Sequence, residues 1–213
     1  KIVDRTEYLM GRIDANPAEA VGDIIIRLEK MGATVVGIPC NTMHAPRIFD
    51  PIRKYLQEKG SGVHLLHMIN EVVSFIRDHH PGMEKIGIMS TTGTWRAGLY
   101  YEALEVNGLQ PVALSEALQQ TVHEAIYDES YGIKAQSNPV TQKAKNYLVH
   151  GLRYLRDKGA EGVILGCTEI PVALPHDFLS DLHLFDANLI LARSLIANSY
   201  PEKLRSLDQG TLG

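Results

Sequence analysis

The chain has 213 residues, 45% of them hydrophobic and 22% charged, with a formal net charge of -4. That is the composition of a soluble globular protein long enough for one large domain or two small ones, and no apolar run approaches the roughly 20 residues that cross a bilayer, so a membrane-spanning protein is excluded. Acidic and basic residues are interspersed, unlike the clustered Lys and Arg of a nucleic-acid-binding face; two cysteines make no disulfide framework, and with no signal-peptide pattern the expectation is reduced thiols in a cytoplasm.

Taken in chain order, Asn16-Pro17-Ala18-Glu19 reads as a helix start, with Asn as cap and Pro at the first helical position. Apolar residues at Ala20, Ile24, Leu28 and Met31 keep helical spacing, and Gly32 is placed to end the helix. Thr34 to Ile38 then reads as a buried strand, followed by a helix from about Ala45 to Glu58, a strand from Val63 to Leu66 and a helix from Met68 to about His79. His80-Pro81-Gly82 breaks the chain and marks the expected lobe boundary.

Lys85 to Ser90 opens the second lobe as a strand, and Thr91-Thr92-Gly93-Thr94 turns into one helix ending near Asn107-Gly108. A short strand from Pro111 to Leu114, a helix from Ser115-Glu116, a loop over Tyr131-Gly132-Ile133-Lys134 and a long helix opened by Pro139 and running to Lys158 follow. Gly162 to Leu165 and Leu182 to Phe185 read as the last strands; Asp186 caps a helix through Asn198, and a polar tail follows Pro201. Strands alternating with helices predict parallel sheets covered by helices. The expected architecture is two similar α/β lobes, residues 1–80 completed by 187–213 and residues 81–186, related by a pseudo-twofold axis with the active site in the cleft between them.

The two cysteines end the same phrase. Leu28, Gly32, Ala33, Val36 and Cys40 recur as Leu155, Gly159, Ala160, Val163 and Cys167, all at a constant offset of 127 residues. Each copy reads as helix, glycine stop, apolar strand, then cysteine where the strand gives way to the next helix, beyond the carboxyl ends of strands where ligands of parallel sheets bind. Free N-H groups and the helix dipole at such a place are expected to lower a thiol from about 8.5 towards neutrality, so that one thiolate and one thiol coexist. The alternative is that both cysteines simply pack in the core. The small polar residues that follow, Asn41-Thr42 and Thr168-Glu169, argue against it, because they bring hydrogen-bonding groups suited to a carboxylate.

Gly37-Ile38-Pro39-Cys40-Asn41-Thr42-Met43-His44, together with Gly162-Val163-Ile164-Leu165-Gly166-Cys167-Thr168-Glu169-Ile170-Pro171, resembles the aspartate/glutamate racemase superfamily. Glu169 stands where glutamate racemases usually carry His, so the resemblance is to the aspartate racemase branch. Val3-Asp4-Arg5-Thr6 is similar to that branch's Pro-Asp-Arg-Thr segment, and Gly132-Ile133-Lys134-Ala135 to its Ile-Lys-Ala segment. The resemblance implies a cofactor-independent racemase of aspartate, with some glutamate activity, in which Cys40 and Cys167 are the two acid/base groups. It further implies that Asn41, Thr42 and Thr168 hold the α-carboxylate, that Arg5 and Lys134 receive the side-chain carboxylate, and that Thr91 forms a wall of the pocket, while Glu169 caps its helix or tunes Cys167. An acidic amino acid is the implied partner, and a homodimer the implied assembly. The resemblance also implies a strand and a Gly-Gly-containing loop ahead of the Arg5 segment; nothing in the sequence matches them, so either the given sequence omits that piece or the first lobe has lost a central strand. Two rival readings are a maleate isomerase, in which one cysteine attacks covalently, and an inactive binding protein for acidic amino acids.

The remaining histidines carry no chemistry in this reading. His44, four residues after Cys40, is expected on the following helix and pointing away from the strand end, not paired with the thiol. His79-His80 beside Pro81 read as a solvated helix end, and His64, His67, His176 and His183 show no metal-ligand spacing.

Overall fold

A computed structural model describes residues 3–174 and 181–207. In chain order the elements are α1 (Arg5–Leu9), α2 (Ala18–Lys30), β1 (Val35–Gly37), a 3-10 turn (Asn41–His44), α3 (Pro46–Glu58), β2 (His64–Leu66) and α4 (Met68–His79). They continue as β3 (Lys85–Ser90), α5 (Thr92–Arg96), α6 (Leu99–Val106), β4 (Gln110–Val112), α7 (Glu116–Tyr127) and α8 (Gln142–Asp157). The last are β5 (Gly162–Gly166), α9 (Ile170–Ala173), β6 (His183–Asp186), α10 (Ala187–Ser199) and a 3-10 turn (Pro201–Lys203). His176 and the end of the polar tail lie outside the described residues.

Two parallel sheets result. β1 pairs with β2, Val36 opposite Leu65, and a second sheet runs in the order β4-β3-β5-β6. Among the described strands every pairing is parallel, with Gly87 opposite Val112, Ile88 opposite Ile164 and Val163 opposite Leu184. β5 is central, and all five of its residues are buried, which is why it reads as a continuous apolar run and not as an alternation. The pleat divides its side chains between two cores. Val163 and Leu165 pack with Val122, Leu148 and Leu152 of α7 and α8, whereas Ile164 packs with Val72, Ile76, Tyr100 and Ile190 from α4, α6 and α10. A third core joins Val21 and Ile25 of α2 to Val36 and to Ile48, Phe49 and Ile52 of α3. Each fully buried branched side chain contributes about 1.5 to 3 kcal/mol.

Local chemistry explains where elements depart from expectation. α2 begins one residue after Pro17, and Asn16 caps from one position further out by accepting the Ala18 N-H at 2.9 Å. Gly32 closes this helix with φ +101°, a conformation that other residues resist. The helix expected after Thr91 is two helices, because Gly98 at φ +66° turns the chain between α5 and α6. α8 begins after Thr141, not at Pro139; the Thr141 hydroxyl accepts the Ala144 N-H at 3.2 Å. The helix expected from Ala45 is preceded by the 3-10 turn at Asn41–His44. α1 was not expected; its start is fixed by Asp4, which accepts the Glu7 N-H at 3.1 Å, the side-chain capping that short polar residues favour. No helix among the described residues is long and apolar enough to cross a membrane.

Candidate active site

The carboxyl ends of β1, β3 and β5 converge on a cavity of about 50 Å³ lined by Arg5, Cys40, Asn41, Thr42, Thr91, Lys134, Cys167, Thr168 and Glu169, with Tyr127 beside them. All nine residues singled out from the sequence therefore meet at one place. Both cysteines are free thiols, Cys40 partly exposed and Cys167 buried.

Cys40 ends a tight turn in which its own N-H donates to the Ile38 carbonyl at 2.8 Å. His44 braces the same carbonyl from beneath through Nε2 at 3.1 Å. This corrects the expectation that His44 points away from the strand end. Burial, and then the neighbouring His67, pull its pKa down to about 3, so the ring is neutral and Nε2-H is the donor. It is unavailable to Cys40 as a base, and it stacks instead among Phe49 and His67.

Cys167 overturns a second expectation. Burial, and then the charge and hydrogen bond of Glu169, push the Cys167 thiol well above its ordinary value. The helix dipole does not compensate, because α9 has only four residues and starts three positions later. The Cys167 thiol donates to Glu169 Oε2 at 2.9 Å, and the Thr168 hydroxyl donates to the same oxygen at 2.7 Å. Burial alone would raise the Glu169 carboxyl, but these two hydrogen bonds and Lys134 outweigh it and hold the carboxyl below its usual range. Thr168 is thus engaged with Glu169.

The cations are engaged as well. Lys134 Nζ lies 3.9 Å from Asp4 Oδ2, 3.8 Å from Glu169 Oε1 and 3.9 Å from the centre of the Tyr127 ring. Burial would lower its pKa, yet Tyr127, Glu169 and Asp4 together raise it. The Arg5 guanidinium, which burial likewise disfavours, is raised by the charge and hydrogen bonding of the Cys40 sulfur, with Asp4 and Tyr127 adding to it. Two buried donors, Arg5 Nε and Asn41 Nδ2, have no partner among the described residues. Unmade buried donors are costly, and both of these belong to residues that line the cavity.

Sequence reading missed four contributors. Tyr127 donates to Asp4 Oδ2 at 3.2 Å, Thr94 meets the Thr42 hydroxyl at 3.1 Å, and Tyr100 meets Asn41 Oδ1 at 2.5 Å. Asp4 alone left a signal, in the Asp4-to-Glu7 cap spacing. Among the described residues no group of three His, Cys, Asp or Glu side chains is placed to hold a metal.

Two free cysteines at the carboxyl ends of parallel strands thus share one cavity with Arg5 and Lys134. The chain belongs to the Asp/Glu/Hydantoin racemase family, whose profile matches residues 1–195. It is accordingly a racemase, an isomerase. It is 26% identical over 179 residues to the broad specificity amino-acid racemase RacX of Bacillus subtilis (strain 168), covering 84% of this chain and 70% of that protein. Its fold is similar to that of the Picrophilus torridus aspartate racemase, with a TM-score of 0.73 at 22% identity over 92% of this chain and 75% of the other. An aspartate racemase homologue from Pyrococcus horikoshii OT3 gives a TM-score of 0.69 at 25% identity, over 90% and 79% of the two chains.

Proposed function

We propose that the protein racemises an acidic amino acid, aspartate foremost, by passing protons between Cys40 and Cys167 without pyridoxal phosphate. The observation that supports this reading is the meeting of two free thiols from the two repeats in one cavity that also holds Arg5 and Lys134. In one direction the Cys40 sulfur, beside Arg5, takes the α-proton. The electron pair of the broken C-H bond spreads into the α-carboxylate, where donors such as Asn41 Nδ2 stabilise the developing charge. Cys167, which holds its proton against Glu169, then delivers that proton to the opposite face. The reverse direction exchanges the roles of the two thiols. An incoming side-chain carboxylate competes with Asp4 and Glu169 for Lys134 and takes up the charge of Arg5.

One observation favours a second reading, a racemase of neutral amino acids. Lys134 is already paired with two carboxylates, which leaves Arg5 as the main attraction for a second substrate carboxylate. The broad specificity of the Bacillus subtilis relative points the same way. Incubation of L-aspartate, L-glutamate and L-alanine in deuterated water, read by chirality and mass, separates these readings. Aspartate should lose its chirality while gaining one deuteron. Retention of chirality and mass by every amino acid tested would overturn the racemase reading, and faster exchange of alanine would favour the second.

A further inference from the structure

We propose that Tyr100 is a positioning residue for the substrate's α-carboxylate, acting by fixing which end of the Asn41 amide faces the cavity. This rests on the racemase reading and deepens it. Tyr100 lies on α6, 59 positions from Asn41, and its hydroxyl donates to Asn41 Oδ1 at 2.5 Å. Both side chains are buried, Tyr100 at 1% exposure and Asn41 at 3%.

An asparagine amide has two chemically opposite ends of nearly the same shape. With Oδ1 held by Tyr100, the Nδ2 group is left as a buried donor without a partner, on a residue that lines the cavity shared by the two thiols. Turned over, the amide would present Oδ1 and its partial negative charge to an incoming carboxylate. The turned arrangement would also leave the tyrosine's hydroxyl proton without the acceptor it has now, the one hydrogen bond Tyr100 makes among the described residues. Burial, and then the charges of Asp186 and Cys167, raise the Tyr100 pKa, so the hydroxyl keeps the proton that it donates to Asn41 Oδ1.

The ring is as constrained as the hydroxyl. Gly166 immediately precedes Cys167, and a Cβ there would stand 3.0 Å from Tyr100 Cε2 and 3.1 Å from the Met89 carbonyl oxygen. Tyr100 therefore leans on the backbone before one cysteine while its hydroxyl orients the side chain after the other. Preorganised donors aimed at developing charge are where an enzyme gains most, and in this site one donor's orientation is set from the opposite repeat.

The test is a double-mutant cycle of Tyr100→Phe and Asn41→Ala, read in aspartate kinetics and in calorimetric binding of succinate, a dicarboxylate with no α-amino group. Tyr100→Phe keeps the ring against Gly166 and removes the oxygen alone; thermal unfolding confirms that it folds. It should raise KM and lower kcat/KM by at least about tenfold, and weaken succinate binding by a similar factor. Asn41→Ala should lose at least as much, and the double variant no more than Asn41→Ala. Losses that multiply in the double variant, or a Tyr100→Phe protein equal to wild type, would overturn the proposal while leaving racemisation intact. Coupled succinate binding in a protein that never exchanges the α-proton would sink the racemase reading and keep the role of Tyr100. A wild-type protein that neither binds succinate nor racemises would sink both.

Discussion

The thiol of Cys167 points at a carboxylate, donating to Glu169 Oε2 across 2.9 Å, while the sulfur of Cys40 shares its surroundings with the guanidinium of Arg5. The two repeats thus place their cysteines in opposite electrostatic settings. The Cys167 arm is held in its acid form and the Cys40 arm stands beside a cation, an asymmetry that suits a pair in which one group must give a proton when the other takes one.

Replacing Glu169 by Gln tests that asymmetry through pH dependence. Burial is the first cause of the raised Cys167 thiol and the Glu169 charge the second, so the variant's thiol should fall but stay above the ordinary cysteine value. The limb of the rate profile governed by Cys167 should therefore move to lower pH for both enantiomers. Rates measured from each enantiomer over a pH series decide this; an unmoved limb, or one moved to higher pH, would show that Glu169 does not set the thiol.

Serine at either cysteine should abolish racemisation, because a hydroxyl is far too weak an acid to act as either partner. Cys40→Ser and Cys167→Ser should each still exchange the α-proton of one enantiomer, and the two variants should favour opposite enantiomers. Proton exchange followed by NMR in deuterated water, starting from pure L- and pure D-aspartate, reads this directly. Substantial interconversion by either variant would remove the two-thiol mechanism.

Substrate choice follows from the cations. Arg5→Leu removes a charge-assisted carboxylate partner and should cost about 2 kcal/mol in transition-state binding, roughly a 30-fold loss in kcat/KM for aspartate. Lys134→Met should lose less, since its charge is already shared with Asp4 and Glu169. Alanine turnover should fall less than aspartate turnover in both. Equal losses for the two substrates would mean that these residues serve the thiols and not the side-chain carboxylate.

How much of this was legible depends on how far each contact reaches along the chain. The offset of 127 residues exposed the repeat and both cysteines, and capping residues and apolar spacing located most of the helices, because those signals lie within a turn of what they determine. The break at Gly98 was visible as a glycine but not as a left-handed one, since nothing nearby demands it. Tyr100 and Tyr127 reach the site from 59 and 123 positions away, from Asn41 and Asp4 respectively, and no local pattern announces such a partner. The raised Cys167 thiol was missed for a related reason. Its position at a strand end suggested a helix dipole, whereas its pKa is set by burial and by the rotamer of Glu169, which exist only in the folded packing.

The neutral His44 beneath the Cys40 turn gives the fold an acid limit. Its pKa in the folded protein is about 3 against an ordinary 6.5, so on acidification the unfolded chain takes up this proton first. The stability that depends on keeping the ring neutral is complete above about pH 6.5 and declines as pH falls towards 3. Between neutral pH and about pH 5 the group should cost about 2 kcal/mol, at about 1.4 kcal/mol for each unit below its unfolded value. His67, lowered mainly by burial, adds in the same direction. His44→Gln keeps an N-H able to reach the Ile38 carbonyl and cannot titrate. Urea unfolding at about pH 7.5 and about pH 5 should show the wild-type protein losing about 2 kcal/mol more than His44→Gln over that interval. The variant should also be the less stable of the two at neutral pH, having lost the ring packed between Phe49 and His67. Equal pH slopes in the two proteins would show that His44 is not held neutral, and with it that the Cys40 turn is braced in some other way.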